Sequence, residues 1–358
     1  MFDWVPKELY TLIYYYLLFA IVLVVLFESL RSRIPSGDRF QFFGSFLLFF
    51  SALYMGFRPI SGFYFGDTST YAQYFDYYTS GGAVTINKDL LFHSFMKWSS
   101  NIMTVHYFFV LCAFFYLYPL YLVCKKWFKE LWFFGFLFLI TAFSFWSYGT
   151  NGIRNGIAGS LFLLGLSRDK RVFQILWIVL AIGFHKTMLL PTAGFILANV
   201  YNQPKKLIMF WVLCIPLSLL GGGLFESFFG SLGFDERLSY LTDGNINDDD
   251  FSSTGFRWDF VMYSATAIYA GWYYIIKKGY QDKVYYWLFN TYIFANAFWI
   301  LVIRANFSNR FAYLSWFMIG LVIVYPLLRD TLFVRQYKKI GVILFLQFLF
   351  TFIMNVIL

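Results

Sequence analysis

The segment TNGIRNGIAGS, residues 150–160, places one arginine, Arg154, among asparagines and glycines at the start of an apolar helix. Most of the hydrophobic sequence before and after this segment carries no charge. A cation at the end of a membrane helix is costly unless its side chain snorkels to the interface or meets an anion. The small residues around Arg154 leave room for another group to approach, and a lipid diphosphate is the simplest anion for such a site.

The composition indicates a membrane-embedded chain. Of the 358 residues, 60% are hydrophobic, 25% are aromatic and only 13% are charged. A soluble domain of this length could not bury that much apolar surface, so the sequence predicts that the bilayer is its solvent. Because no low-complexity linker interrupts the apolar pattern, we predict one integral membrane domain over residues 1–358.

The expected fold class is all-α, a polytopic membrane protein with about 12 transmembrane helices. With boundaries given to about 2–4 residues, the expected helices lie at 8–29, 40–57, 101–123, 131–147, 155–167, 172–184, 187–200, 207–222, 259–276, 284–303, 311–328 and 340–357. A span needs roughly 20 residues, so the fifth, sixth and seventh helices are short. The sixth and seventh form either two spans or a bent hairpin that does not fully cross the bilayer.

Positive charge predicts the orientation of the chain. Most of the 28 basic residues fall in six short loops on one side of the expected spans, whereas the other side holds more acidic than basic residues. An excess of lysine and arginine marks the cytoplasmic side, so both termini are expected outside the cytoplasm. The net charge of +9 is then a topology signal. Nucleic acid is not an expected partner, because the basic residues form no single clustered face.

Two long external loops are expected over residues 58–101 and 223–259, each with an amphipathic helix that lies in the membrane interface. In the first loop, Gly66 and Asp67 indicate a helix start, and Tyr71 falls on the aromatic face of that helix. Asp67 is then either an N-cap only, or a base or sugar-binding carboxylate.

No metal or cofactor is expected. In the second external loop, Asp243, Asn245 and Asn247 imitate the start of a calcium-binding loop. The pattern then fails, because Asp248 stands where glycine is needed and Thr254 stands where glutamate is needed. The three cysteines are scattered and show neither a disulfide framework nor a metal-ligand spacing. We interpret the acidic segment as a mobile lid.

Two polar segments carry the main candidates for chemistry. The first holds Asn151, Arg154 and Asn155, of which the two asparagines would share one face of any helix there. The planar guanidinium of Arg154 suits a phosphate, and a small-residue packing seam with a snorkelling arginine is the alternative. The second segment, GFHKTMLLP at residues 183–191, contains His185. This histidine either accepts a proton near neutral pH or satisfies backbone groups at a helix break.

Cations also mark the other short external junctions. Lys186 lies in the second polar segment, and Arg304 and Arg310 bracket a tight turn that contains Asn309. Arg257 closes the acidic loop. Since the outer side is otherwise acidic, these residues are candidates for binding the diphosphate or the rest of the substrate. Alternatively, they anchor helix ends to lipid headgroups. The other two histidines of the chain are expected to be structural.

Four short motifs follow one another along the chain. They are GDTSTYAQYF at 66–75, IRNGIAGSLF at 153–162, FHKT at 184–187 and SNRFAYL at 308–314. In type and order these motifs resemble those of the EpsG branch of the Wzy-type polysaccharide (O-antigen) polymerases. The resemblance covers most of the chain, and the expected number of helices agrees with it. One departure is Asn155, which stands where the family pattern has glutamine after the arginine.

The resemblance implies an enzyme that takes an undecaprenyl-diphosphate-linked glycan as both donor and acceptor. Such polymerases work on the outer face of the bacterial cytoplasmic membrane and transfer the growing chain to the non-reducing end of the next lipid-linked repeat. They look similar in architecture to the lipid-dependent GT-C glycosyltransferases and need no nucleotide sugar. The further partners it implies are membrane lipids, a chain-length regulator and a flippase.

The candidate residues fit the chemistry that the resemblance implies. A departing diphosphate needs positive charge as its bond breaks, and Arg154, Arg310 and Arg304 can supply it without a metal. The acceptor hydroxyl needs a base, for which His185 is the first choice and Asp67 the second. Tyrosine and tryptophan in the outer loops can pack against sugar rings.

Two other functions fit a polytopic protein that handles lipid-linked glycans. A flippase or transporter predicts charged residues deep within spans and a repeat symmetry between halves, and the sequence shows neither. A membrane acyltransferase predicts a deep histidine–arginine pair early in the chain, but the first two expected spans contain no histidine. The polymerase is therefore the expected function.

Overall fold

The structure, a computed structural model, describes residues 2, 4–31, 37–85, 89–231, 255–305 and 308–358. Every regular element in these ranges is a helix, which confirms the all-α prediction. The α-helices are α1 (Lys7–Arg31), α2 (Gly37–Gly56), α3 (Gly62–Phe65), α4 (Thr68–Thr79), α5 (Leu90–Ser100), α6 (Val105–Phe128), α7 (Trp132–Ile140), α8 (Phe143–Thr150), α9 (Ile153–Leu166), α10 (Arg171–Phe184), α11 (Leu189–Val200), α12 (Pro204–Ser231), α13 (Trp258–Gly271), α14 (Lys283–Leu301), α15 (Asn309–Trp316), α16 (Ile319–Arg329) and α17 (Gln336–Phe352).

Several of these helices are suited to a bilayer. Within the described ranges, five helical segments are long and apolar enough to cross a membrane, as judged by length and composition: Lys7–Arg31, Val105–Ile140, Pro204–Phe225, Asn309–Arg329 and Gln336–Ile357. Three shorter apolar helices are Phe40–Gly56, Ile153–Leu166 and Arg171–Phe184. The chain is therefore a polytopic membrane protein. Twelve crossings and a GT-C-like arrangement stay predictions, and each expected span coincides with a helix or an interrupted helix pair.

The chain packs as two compact units, which are described separately. The first unit comprises Met1–His185 and Leu327–Leu358. At its centre α9 packs against α6 and α10, and almost every residue of α9 is buried. Glycine at position 156 permits α9 to pack closely against α8 as well, because a Cβ there would lie 2.5 Å from the carbonyl oxygen of Tyr148. The helix that begins with the arginine segment is thus the core of this unit.

The second unit comprises Lys186–Pro326. Here α14 packs against α11, α12 and α15. The side-chain amide of Asn296 is buried among these helices and fully bonded, because Trp211 Nε1 donates to its oxygen at 2.7 Å and its nitrogen donates to Ser264 and Ser315. A buried amide with all its partners fixes one register for the helices that meet around it.

One expected span is broken in the structure. The stretch 131–147 forms two helices, α7 and α8, because Ala142 adopts an extended conformation (φ −68°, ψ 146°). The carbonyl groups released at the break are bound by side chains of α17: Gln347 donates to Phe138 at 2.9 Å, and Thr351 donates to Thr141 at 2.9 Å. Inside a membrane a helix break is tolerated when neighbouring side chains satisfy the exposed backbone groups.

The two long loops differ in how much of them is described. The first contains α3, α4 and α5, which carry most of the candidate site. In the second, α12 continues past a kink at Gly221 (φ −135°) as far as Ser231. The predicted acidic lid with the calcium-like segment lies outside the described residues. Whether the helices of these loops lie in the membrane interface stays a prediction.

Candidate functional site

The start of α4 is joined to the turn between α8 and α9. Gly66 has a positive φ of +52°, and a Cβ at this position would lie 2.4 Å from the side chain of Asn151. The backbone N–H of Asp67 donates to Asn151 Oδ1 at 2.9 Å. Only glycine allows this close approach in a left-handed conformation. The junction places the loop of residues 58–101 directly against the segment that leads to Arg154.

Asp67 is the N-cap residue of α4, as the sequence predicts, but its side chain makes no capping hydrogen bond. The carboxylate accepts no hydrogen bond from any residue that the structure describes and is only half-buried. It contributes to the electrostatic environment of Arg154. The two charges therefore interact, and a role of Asp67 as a base or sugar-binding carboxylate stays a prediction.

Arg154 is the second residue of α9 and binds two side chains. Its Nη1 donates to Asp89 Oδ2 at 2.7 Å, and its Nε donates to the hydroxyl of Tyr71 at 3.3 Å. The guanidinium carbon also lies 5.6 Å from the centre of the Tyr71 ring. With a side chain only 20% exposed, Arg154 is held inside the site. Since a guanidinium has five N–H donors, donors remain for an anion.

His185 lies at the same carboxylate. It follows α10 in an extended conformation (φ −154°, ψ 121°) and is 3% exposed. Its Nε2 is 3.7 Å from Asp89 Oδ2. The predicted base and the predicted phosphate-binding arginine thus converge on one oxygen atom, although 31 residues of sequence separate them.

Asp89, which joins these two residues, was not predicted from the sequence. It is 6% exposed and has a left-handed backbone (φ 48°, ψ 42°), which is uncommon for a residue other than glycine. Although it is the N-cap residue of α5, its side chain makes no capping hydrogen bond. The sequence signal is that Asp89 is an acidic residue directly before an apolar helix, in the same long loop as Asp67, and could supply the anion that Arg154 needs.

One histidine of α5 lies near the same residues. His93, expected to be structural, is buried, and its Nδ1 is 3.0 Å from the hydroxyl of Tyr78. The ring of Tyr74 contacts it edge-on, with 5.3 Å between the ring centres. Burial lowers the pKa of His93 to about 4, and the positive charge of Arg154 adds to the effect. His93 is therefore a neutral imidazole at physiological pH, close to the cluster.

Buried aromatic rings surround the cluster. Tyr71 contacts Phe92 edge-on at 5.6 Å between ring centres, and Phe92 contacts Phe184 in the same way at 6.5 Å. Phe92 is fully buried, and Tyr71 is 3% exposed. Because little water reaches such an environment, hydrogen bonds and charge interactions within it are stronger than at the surface.

The two asparagines near Arg154 do not share a helix face. Asn151 follows α8 and lies before the first residue of α9, so it belongs to the turn. Gly152, with φ −85° and ψ 48°, separates it from the helix. Asn155 is in α9 and is 6% exposed. The expected common face is thus wrong, because the glycine interrupts the helix between the two residues.

The remaining candidates belong to the second unit. Lys186 and Arg304 are exposed, and Arg304 Nη2 lies 3.4 Å from the carbonyl oxygen of Leu219. Asn309 and Arg310 are half-buried in the first turn of α15. Roles of these four residues in substrate binding stay predictions.

Arg257, the last candidate of the second unit, forms an ion pair. Its Nε and Nη2 donate to the two carboxylate oxygens of Asp259 at 2.9 and 2.5 Å, and its guanidinium lies 3.9 Å from the centre of the Phe260 ring. This two-point pairing engages two of the five N–H donors of the guanidinium. A role of Arg257 in binding substrate stays a prediction.

The Asp89–Arg154–His185 cluster combines a cation, a carboxylate and an imidazole. Such a set can hold an anion, orient an imidazole and accept a proton. Among the described residues, no group of three His, Cys, Asp or Glu side chains is placed to hold a metal ion. The metal independence of the chemistry stays a prediction.

A comparison with protein families matches most of the chain. The model of the EpsG family matches residues 41–358, a range that includes the cluster and every candidate residue named above. No curated protein and no solved structure matches the chain.

Proposed function

Because the chain belongs to the EpsG family, we propose that it polymerises undecaprenyl-diphosphate-linked oligosaccharide repeats on the outer face of the bacterial cytoplasmic membrane. The observation that carries the proposal is the convergence of Arg154 and His185 on Asp89, with 2.7 and 3.7 Å to the same carboxylate oxygen. An anion-binding group and a proton acceptor in one buried cluster are what a metal-independent transfer from a lipid diphosphate requires.

The proposed reaction is one glycosyl transfer. The bond between the anomeric carbon of the growing glycan and the diphosphate oxygen breaks, and the electron pair leaves with the lipid diphosphate. A hydroxyl at the non-reducing end of the acceptor repeat forms the new glycosidic bond with that carbon and gives its proton to a base. The protein must therefore stabilise negative charge on one side of the reacting carbon and accept a proton on the other.

Arg154 stabilises the departing diphosphate in this proposal. Its guanidinium is oriented by Asp89 and Tyr71 and needs no rearrangement to keep its direction as charge develops. The donors that these two residues do not engage are available to phosphate oxygens. In the second unit, Arg310, Arg304, Lys186 and Arg257 are proposed to bind lipid-linked substrate.

His185 is the proposed base, and Asp89 supports it. When the imidazole takes the proton of the acceptor hydroxyl, the negative charge of Asp89 stabilises the imidazolium that forms, as in other carboxylate–histidine pairs. Asp67 is the second candidate for the base, because its carboxylate is half-buried and near Arg154. The neighbouring Asn151 and Asn155 are proposed to bind the substrate, as is Tyr71.

Replacement of Arg154 or His185 by alanine tests the proposal in cells. In the wild type, surface polysaccharide should form a ladder of chain lengths on a gel, and in these variants we expect only a single lipid-linked repeat. The reason is that loss of such a group lowers the rate of glycosyl transfer by roughly 10²–10⁴-fold. Asp89→Asn should lower the rate as well. The matched controls are Lys97→Ala and His106→Ala, which remove a half-buried cation and a half-buried histidine near the same external loop.

Two outcomes would count against the proposal. One is a wild-type ladder from both Arg154→Ala and His185→Ala at normal protein level. The other comes from purified protein incubated with lipid-linked repeats in detergent, where a polymerase makes dimers and longer chains. A protein that changes nothing covalent in that mixture is better explained as a flippase.

A further inference from the structure

Arg58 is a fully buried arginine outside the Asp89–Arg154–His185 cluster. It follows α2 and is 0% exposed. Its Nη1 donates to the carbonyl oxygen of Met55 at 2.7 Å, and its Nε donates to Thr68 Oγ1 at 3.2 Å. The guanidinium carbon lies 4.7 Å from the centre of the Phe109 ring. The side chain thus bridges the end of α2, the start of α4 and α6.

No carboxylate in the part of the chain that the structure describes forms an ion pair with Arg58. None of the ion pairs among the described residues includes it, and its Nη2 has no hydrogen-bond partner there. Burial lowers its pKa to about 10, so the group is still protonated at neutral pH. A buried cation without a counter-ion costs stability that an apolar side chain would not cost. Such a group is expected to have a role other than packing.

The hydrogen bond to Thr68 connects Arg58 to the arginine segment. Thr68 Oγ1 lies 3.0 Å from the carbonyl oxygen of Thr150 and 2.9 Å from that of Phe65, and its single hydroxyl hydrogen is shared between these two acceptors. Thr150 is the last residue of α8, immediately before the turn that leads to Arg154. A continuous chain of hydrogen bonds therefore runs from Arg58 through Thr68 to this turn.

Two further hydrogen bonds link α4 to this turn and to the first residues of α9. Asn151 accepts the backbone N–H of Asp67 at 2.9 Å, and Tyr71, one helical turn after Thr68, accepts a hydrogen bond from Arg154. A displacement of the first residues of α4 would therefore move Tyr71 and the turn together. Both of these elements determine where the Arg154 guanidinium lies.

We propose that Arg58 is a positioning residue for Arg154, acting through its hydrogen bond to Thr68. It fixes the start of α4 against the turn between α8 and α9 and so sets the guanidinium of Arg154 for a diphosphate. This inference rests on the proposed function, because it takes Arg154 as the residue that binds the diphosphate.

The experiment measures binding of farnesyl diphosphate to the purified full-length protein in detergent, by titration calorimetry. Thr68→Val removes the hydroxyl at nearly constant volume, and Thr68→Ser keeps it. Arg58→Lys keeps the charge but lacks Nε and the planar fork. Each variant is also made together with Arg154→Lys. Melting temperature and gel filtration establish that each protein is folded. If Arg58→Lys does not fold, the comparison of Thr68→Val with Thr68→Ser tests the inference.

We expect Thr68→Val and Arg58→Lys to weaken binding about tenfold, the effect of losing one hydrogen bond that involves a charged group. Thr68→Ser should bind within about twofold of the wild type. In protein that already carries Arg154→Lys, adding Thr68→Val should weaken binding of the probe by less than about twofold. The reason is that the effects of residues that act through one another are not additive. Equal losses in both backgrounds, or wild-type binding by Thr68→Val, would overturn the inference.

Failure of the inference is distinguishable from failure of the proposed function. If Arg154→Lys binds the probe as tightly as the wild type, there is no diphosphate-binding arginine to position and the inference is overturned. If binding follows the expected pattern while Arg154→Ala and His185→Ala leave the polysaccharide ladder unchanged in cells, the inference holds and the polymerase function fails.

Discussion

At the scale of single residues, Asp89 shows why Arg154 can lie at a helix end with only 20% of its side chain exposed. A buried cation is costly, and the carboxylate at 2.7 Å provides the anion that compensates it. The two residues are 65 positions apart, and His185 is a further 31 positions along the chain. Local patterns report on neighbours in sequence, so the sequence predicted Arg154 and His185 as candidates but not the residue that joins them.

His93 shows that the environment of a single side chain is also hard to predict from local sequence. In sequence it is one histidine on an apolar helix, for which a structural role is the reasonable expectation. Its environment, with Tyr78 at one ring nitrogen and Arg154 close enough to repel a proton, is a product of the packing of α4 and α5. No sequence pattern of α5 contains this information.

The lowered pKa of His93 predicts a pH-dependent stability. In the unfolded chain a histidine titrates near 6.5, whereas folded His93 titrates at about 4. As the pH falls below 6.5, the unfolded chain takes up a proton that the folded protein does not, so stability present above that pH is lost. By pH 5 the loss amounts to about 2 kcal/mol.

The measurement is the thermal unfolding of wild-type protein and His93→Gln in detergent between pH 7.5 and 5. The glutamine variant should lose less stability over this range, because it lacks the titrating group. Parallel pH curves for the two proteins would contradict a neutral, buried His93.

At the scale of elements, the start of α4 forms a joint with the turn between α8 and α9, and this joint positions the residues of the site. Gly66 allows Asn151 to approach the backbone, and the N–H of Asp67 uses the amide oxygen that this approach supplies. The sequence indicated the helix start correctly, because Gly-Asp before an aromatic face is a recognisable N-terminal signal. It did not indicate that the joint reaches across to the turn after α8.

Gly66→Ala should destabilise the protein more than Gly81→Ala. Both glycines have positive φ, +52° and +88°, so each alanine adds backbone strain of about 1 kcal/mol. Only at Gly66 would the new methyl group meet another side chain, Asn151 at 2.4 Å, whereas nothing lies within 4 Å of it at Gly81. We therefore expect a total loss of about 2–4 kcal/mol for Gly66→Ala.

The comparison is made by thermal unfolding of the two variants and the wild type. Gly81→Ala serves as the control for strain without a clash. Equal losses of stability would show that Asn151 can move away without cost and that the joint is not rigid.

The helices themselves were largely predictable, and their interruptions were not. Apolar runs located α1 and α9 to within a few residues of the structure, since apolar sequence of sufficient length is a direct signal of a membrane helix. The expected span at 131–147 is broken at Ala142, and the break is tolerated because Gln347 and Thr351 bind the carbonyl groups that it releases. These partners lie about 210 residues further along the chain, beyond the reach of any local pattern.

At the scale of the whole molecule, the chain forms two packing units, and the candidates divide between them. The Asp89–Arg154–His185 cluster belongs to the first unit, whereas Lys186, Arg304 and Arg310 belong to the second. Charge asymmetry along the sequence predicted one orientation for all of these residues, with the candidate site outside and the basic loops in the cytoplasm.

This orientation is tested by labelling introduced cysteines with a membrane-impermeant maleimide. The three native cysteines are buried and give a low background. Ser80 and Lys170 are both exposed. Ser80 directly follows α4 in the loop of residues 58–101, and Lys170 lies between α9 and α10. We expect Ser80→Cys to react in intact spheroplasts and Lys170→Cys to react only after permeabilisation. The reverse pattern would place the site in the cytoplasm and contradict polymerisation on the outer face.

The ion pair between Arg154 and Asp89 has a consequence for ligand selection. A carboxylate tethered beside the guanidinium acts as a built-in competitor whose effective concentration far exceeds that of dissolved anions. Dilute phosphate or sulfate in the surrounding medium therefore competes poorly for the arginine. An anion carried by a long hydrocarbon chain is concentrated in the bilayer, so its local concentration is closer to that of the Asp89 carboxylate and it competes better for Arg154.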